Sequence, residues 1–218
     1  MRKRAEGRVH SPGLVRRMLE YVRGREQLLV RGMDQWPLLL LSYPTGSREA
    51  AEELRDAWLH TLPALHTPLV EPYRAMLERL PPVVVVLLRP RNVCSCLGHH
   101  HPGGTESRLT RRIAADTGGT VGEIDLAWEA IREWQPSPLA SLAAAVAEPG
   151  FAPLQFRSAL LTILLHELEH LAYPDRAERS VRMSSDEFYS AMLSELLCEE
   201  GFSRYGIDRS SAPKAFER

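Results

Sequence analysis

The chain has 218 residues, of which 44% are hydrophobic and 25% charged, a balance ordinary for a soluble domain that buries a substantial core. Its longest apolar runs, Pro37 to Leu41 and Val83 to Leu88, fall well short of a bilayer crossing, and no apolar signal region follows the basic start, so a cytoplasmic protein with no membrane partner is expected. Net charge is only −1 but unevenly placed: residues 1–31 hold nine Arg or Lys against three Glu, which leaves an acidic remainder.

Met1 to Arg4 reads as a frayed start, and Ser11-Pro12-Gly13 as the cap and first turn of a helix from about Leu14 to Arg31 with a thin apolar face. Residues 1–31 are accordingly set apart as a basic N-terminal segment, and residues 32–218 as the main domain. Leu38 to Ser42 predicts a strand closed by Tyr43-Pro44-Thr45-Gly46, and Ser47 to His60 predicts a helix carrying Ala50, Ala51, Leu54 and Trp58 on one side. A further helix over Glu71 to Leu80 stops before Pro81-Pro82, and Val83 to Leu88 is the clearest buried strand in the chain. Asn92 to Leu97 reads as strand-like and Gly98 to Gly104 as a glycine-bearing loop. After the turn Thr117-Gly118-Gly119 come a short strand, Gly122 to Leu126, and a helix from Ala127 to Trp134. An Ala-rich helical stretch around Leu139 to Ala147 follows Pro136-Ser137-Pro138. Pro153 marks the first turn of a long helix ended by Tyr173-Pro174, and a last helix is expected from about Ser185 to Phe202.

Within the long helix stands His166-Glu167-Leu168-Glu169-His170, which fits the pattern H-E-x-x-H. Residues four apart share a helix face, so His166 and His170 can aim two imidazoles at one metal while Glu167 leans toward a bound water as general base. Random order yields this pattern in roughly three chains in a hundred of this composition. The flanking residues, Ser158 to Leu165 and Leu171-Ala172, make the helix apolar on most sides, where polar groups are rarely buried without purpose. The competing explanation is that these are satisfied core or interface polar groups.

A catalytic zinc usually takes three protein ligands and leaves one open position, so a third donor is required. No histidine follows His170. In the last helix, Glu195 and Glu199 stand one turn apart and could act as metal ligand and as orienting partner of a histidine, in a segment that resembles the Asn-Glu-x-x-Ser-Asp stretch of thermolysin-like gluzincins. The order Cys96-Leu97-Gly98-His99-His100-His101-Pro102, then Gly122-Glu123-Ile124-Asp125-Leu126, then Leu164 to His170 resembles SprT-like and WLM-like metallopeptidases. The resemblance spans about residues 92–206 and takes in Glu187-Phe188-Tyr189 and Arg204-Tyr205-Gly206. It implies an α+β zincin-like domain: a small mixed sheet beside the metal helix, preceded here by additional N-terminal helices. It also implies Zn2+ as cofactor, a peptide or protein substrate laid along an edge strand at Gly122 to Leu126, and hydrolysis by metal-activated water. Where that family commonly has a third histidine, four residues before the Phe, this chain has Ser184. Glu195 is therefore the expected third ligand, with Asp186 and Glu187 as alternatives, and a relative that keeps the fold as a binding or regulatory module is the competing reading. Tyr173 and Tyr205 are candidate donors to the oxyanion.

Two further features carry chemistry. Cys94 and Cys96 with His99, His100 and His101 form a dense donor set, although alternating cysteines on a strand face opposite sides and the histidines suit an exposed loop in which one lines the cleft. Three cysteines give no extracellular disulfide framework, so reduced thiols are expected. The basic segment could contact nucleic acid through phosphate, in a salt-dependent manner, but it lacks stacking aromatics apart from Tyr21.

Overall fold

In the computed structural model, residues 25–32, 36–65, 67–92, 95–103, 105–134 and 152–197 are described. Five strands form one mixed sheet in the order β1-β2-β3-β5-β4: β1 (Arg25–Arg31), β2 (Leu38–Pro44), β3 (Val83–Arg89), β4 (Gly98–His100) and β5 (Val121–Ala127). Strands β2, β3 and β5 run parallel, and β1 and β4 close the two sides antiparallel to them.

The strongest apolar runs became the central strands because both sheet faces are covered. Val84, Val86 and Leu88 enter the larger core, whereas Val83, Val85 and Leu87 enter the smaller one. A strand buried on both faces has no need to alternate with polar residues.

Six helices of six residues or more pack on this sheet among the described residues. The larger core lies under α1 (Arg48–Asp56), α2 (Thr67–Leu77), α5 (Ala152–Ala172) and α6 (Glu178–Leu197). A π turn, Ala57–Thr61, continues α1 and buries Trp58 completely. On the opposite face, α3 (Arg108–Thr117) buries Ile113 against the smaller core; the short α4 (Trp128–Glu133) follows β5 and buries Ile131 in the larger one. No helix among the described residues is long and apolar enough to cross a membrane.

Several expectations change. Residues 25–31 are a strand, paired with β2 along their length, so the helix expected over 14–31 does not reach them and this part of the basic segment belongs to the sheet. Leu28 and Val30 meet one core while Leu29 meets the other, which suits a strand covered on both faces and gives β2 a second hydrogen-bonding partner. Residues 14–24 and the Ala-rich stretch 139–147 lie outside the described residues. The strand beside β5 is Gly98–His100 rather than Asn92 to Leu97, and pairing continues through His101 N–H to Glu123 O (3.0 Å) and Ala127 N–H to Leu97 O (2.8 Å). β5 is therefore interior, and β4 is the sheet edge. Helix α6 begins at Glu178, about two turns before Ser185, and that difference decides the site.

Candidate metal centre

Helix α5 is buried nearly all round: Leu160, Leu161, Leu164, Leu165 and Leu168 are at most 1% exposed. Any imidazole or carboxylate on such a helix must find a partner, because burying it bare costs several kcal/mol, on the order of 2–7 for a neutral polar group. The chain supplies those partners by turning back at once. Tyr173 N–H caps Glu169 O at 2.9 Å, residues 173–177 make the bend, and α6 starts at Glu178, antiparallel to α5.

That turn brings the Glu178 carboxylate between the two histidines. Its Oε2 lies 2.9 Å from His170 Nε2, and its Oε1 lies 3.5 Å from His166 Nε2. The three side chains offer donor atoms within 4.8 Å of one another. In a tetrahedral shell with bonds of about 2.0–2.1 Å, donors stand about 3.3 Å apart, a spacing that these two distances bracket. The donor set is the borderline nitrogen and oxygen chemistry that zinc accepts.

The tautomer of His166 is fixed by its neighbour. Ser185 Oγ donates its proton to Val181 O at 2.9 Å, so toward His166 Nδ1, 3.0 Å away, it can act only as acceptor. His166 therefore carries its proton on Nδ1 and presents the Nε2 lone pair toward Glu178, the arrangement in which imidazole is a metal ligand. His170 is held from the other side: the His100 ring stacks on it at 4.9 Å between centroids and 16° between planes.

Glu167 is buried on the cleft wall, with Oε2 3.4 Å from His100 Nδ1. Its position depends on Gly98, because a Cβ there would stand 2.6 Å from Glu167 Oε1 and 2.7 Å from its Cγ. Here glycine is needed for close approach. A cleft of about 470 Å3 opens in front, lined by Gly98, Thr162, His166, Glu167, Glu178 and Arg182 among others.

Of the residues expected from sequence, His166 and Glu167 line this cleft, and His170 joins His166 in the donor group with Glu178. Glu195 does not: it sits on the same helix as Glu178 but seventeen residues further on, about 25 Å along the axis at 1.5 Å per residue. Its expected partner Glu199 lies outside the described residues. Asp186 lines the cleft wall, Glu187 is exposed, and neither belongs to the donor group. Ser184 hydrogen-bonds to Ser180 O and lines a separate pocket with Tyr73 and Glu169, so its place is not a gap in the ligand set. Tyr173 is held between Arg79 and Arg176, with guanidinium carbons 4.8 and 5.4 Å from its ring centre, and is absent from the cleft lining; Tyr205 lies outside the described residues. Glu178, Ser185 and Gly98 were not singled out from sequence. Glu178 had one visible signal, an acidic residue at a helix N-terminus, which goes unread when the helix is started at Ser185.

Cys96 is disulfide-bonded, with its partner outside the described residues, which corrects the expectation of reduced thiols and removes this sulfur as a thiolate ligand. The other histidines divide between faces. His100 stacks on His170 and meets Glu167, whereas His101 turns to the far side of β5, where its Nε2 lies 3.7 Å from Glu123 Oε1 and 3.5 Å from Asp125 Oδ2. Of the basic segment, residues 1–24 lie outside the described residues.

No family model, no curated protein and no solved structure matches this chain.

Proposed function

We propose that the chain is a zinc-dependent peptidase in a zincin-like fold, with His166, His170 and Glu178 as the metal ligands and Glu167 as the general base. The observation that carries this reading is the His166–Ser185–Val181 chain, which leaves the Nε2 lone pair of a largely buried histidine facing a second imidazole and a carboxylate. A histidine serving only as a core polar group has no use for such a lone pair.

A divalent cation held by these three residues supplies a Lewis acid that polarises a scissile carbonyl and lowers the pKa of water. Glu167 accepts the proton of the attacking water on its carboxylate and returns it to the leaving amine nitrogen. Ser185 and His100 keep the two imidazole rings oriented, as partners behind metal ligands do elsewhere. The substrate is an extended peptide segment. Because β5 is interior, its main chain pairs instead with the outer edge of β4, whose Gly98 borders the cleft.

Purified protein is expected to hold about one zinc per chain and to release fluorescent fragments from labelled casein, with 1,10-phenanthroline abolishing both. Zinc-loaded protein that hydrolyses no peptide would overturn the peptidase reading in favour of a binding module. Protein that takes up no zinc would remove the metal site itself.

A further inference from the structure

The face of the sheet turned away from the metal cleft has its own cavity, of about 440 Å3, with four arginines in its lining: Arg25, Arg89, Arg108 and Arg112. It lies at the carboxyl ends of the parallel strands β2 and β3, where Ser42 and Leu87 form its wall, and α3 covers it. Ends of parallel strands are where open α/β sheets leave a crevice.

Its charges are incompletely balanced. Arg89 pairs with Asp125 at 2.9 Å, but among the described residues neither Arg25 nor Arg108 is in an ion pair. Arg25 bonds through Nε to Ser42 Oγ (3.1 Å) and through Nη2 to Ser42 O (2.7 Å) and Leu88 O (2.9 Å), all neutral acceptors. Burial first, and then the repulsion of Arg89, lower the pKa of Arg25 from its ordinary value. Two guanidiniums are thus held near each other at a desolvation cost that an anion between them would relieve. The α3 dipole is not the attraction here, because Glu123 already accepts the Ser107 N–H at that helix end.

We infer that this arginine-lined crevice binds a phosphate monoester, the dianionic group facing Arg25, Arg89 and Arg108 and the organic part resting on Leu87 and Leu109. A phosphate carries about −1.5 to −2 charges at pH 7, which matches Arg25 and Arg108, the two guanidiniums without an ion pair among the described residues, whereas one carboxylate would leave one of them unbalanced. The cavity is larger than a bare anion requires, and its two leucines give the excess space an apolar wall. This site is independent of the peptidase reading.

The test is calorimetric titration of the full chain at low ionic strength with AMP, inorganic phosphate and, as monoanion control, acetate. One saturable site per chain is expected for phosphate-bearing ligands, with none for acetate. Tighter AMP than phosphate supports the organic source, and phosphate binding alone overturns it. Arg108→Ala, at an exposed position and with an unchanged circular dichroism spectrum as its control, should weaken binding at least tenfold. Arg89→Lys, which keeps the charge beside Asp125 but loses the fork, should weaken it as well. The double variant His166→Ala/His170→Ala should bind AMP unchanged. Absence of saturable heat, binding indifferent to both arginine variants, or binding lost in the double-histidine variant would each overturn the assignment.

Discussion

Two groups of histidine and carboxylate lie on opposite faces of β5, each with three donor atoms within 4.8 Å: His166, His170 and Glu178 toward α5, and His101, Glu123 and Asp125 toward α3. By residue type they are nearly the same. They differ in what their atoms already do. Glu123, 1% exposed, accepts Ser107 N–H at 3.0 Å on both oxygens, Ser107 Oγ at 2.6 Å and the Thr110 hydroxyl, while Arg89 holds Asp125. Glu123 is spent on tying β5 to α3 and Asp125 on the last residue of β3, whose guanidinium stands where a cation would have to approach. Around α5 the polarity is reversed: Ser185 occupies the far nitrogen of His166 and leaves the near one open. Composition therefore does not distinguish a ligand set from a structural network, but the assignment of each proton and lone pair does.

The largest effect that sharpens this contrast is chemical. Glu167→Gln should lower peptide hydrolysis by about 10²–10⁴-fold, the usual worth of a positioned general base, while bound zinc measured by mass spectrometry stays the same. Equal activity in both proteins would remove Glu167 from the mechanism. Next comes ligand loss: Glu178→Ala should cost more zinc affinity than the roughly 10- to 100-fold an outer partner is worth, and Glu195→Ala should cost none. Competition with a chromogenic chelator measures both, and the opposite ranking would restore Glu195. Ser185→Ala should then fall within that roughly 10- to 100-fold range, because it frees the His166 tautomer without removing a donor. The smallest effect belongs to the other face. Glu123→Ala should leave zinc content unchanged and lower stability to urea by about 1–3 kcal/mol, since Ser107 and Thr110 lose their acceptor. Zinc lost in Glu123→Ala and retained in Glu178→Ala would invert the comparison.

How far the sequence could be read follows the same physics. Val83 to Leu88 and the H-E-x-x-H helix were legible because burial on all sides writes an unbroken apolar run. Strand β1 was not, since Leu28, Leu29 and Val30 divide between two cores and so show no alternation of apolar with polar residues. Gly98–His100 is too short to carry a period, and its strand geometry comes from pairing with β5. Helix α3 was passed over altogether, although Ser107 caps it by accepting Thr110 N–H at 3.3 Å and Gly118 ends it at φ 63°. In the site, the two histidines and Glu167 followed from spacing along one helix. The third donor, Glu178, did not, because a turn between two helices sets which residue returns, and no periodicity reports that.

The bend over residues 173–177 acts as a ruler. Each residue advances an α-helix by about 100°, so one residue inserted or removed in that connection would swing the first side chain of α6 away from the imidazoles, even with both helices intact. Lineages that drift in the length of this bend would be expected to lose the grouping of His166, His170 and Glu178 before losing the architecture.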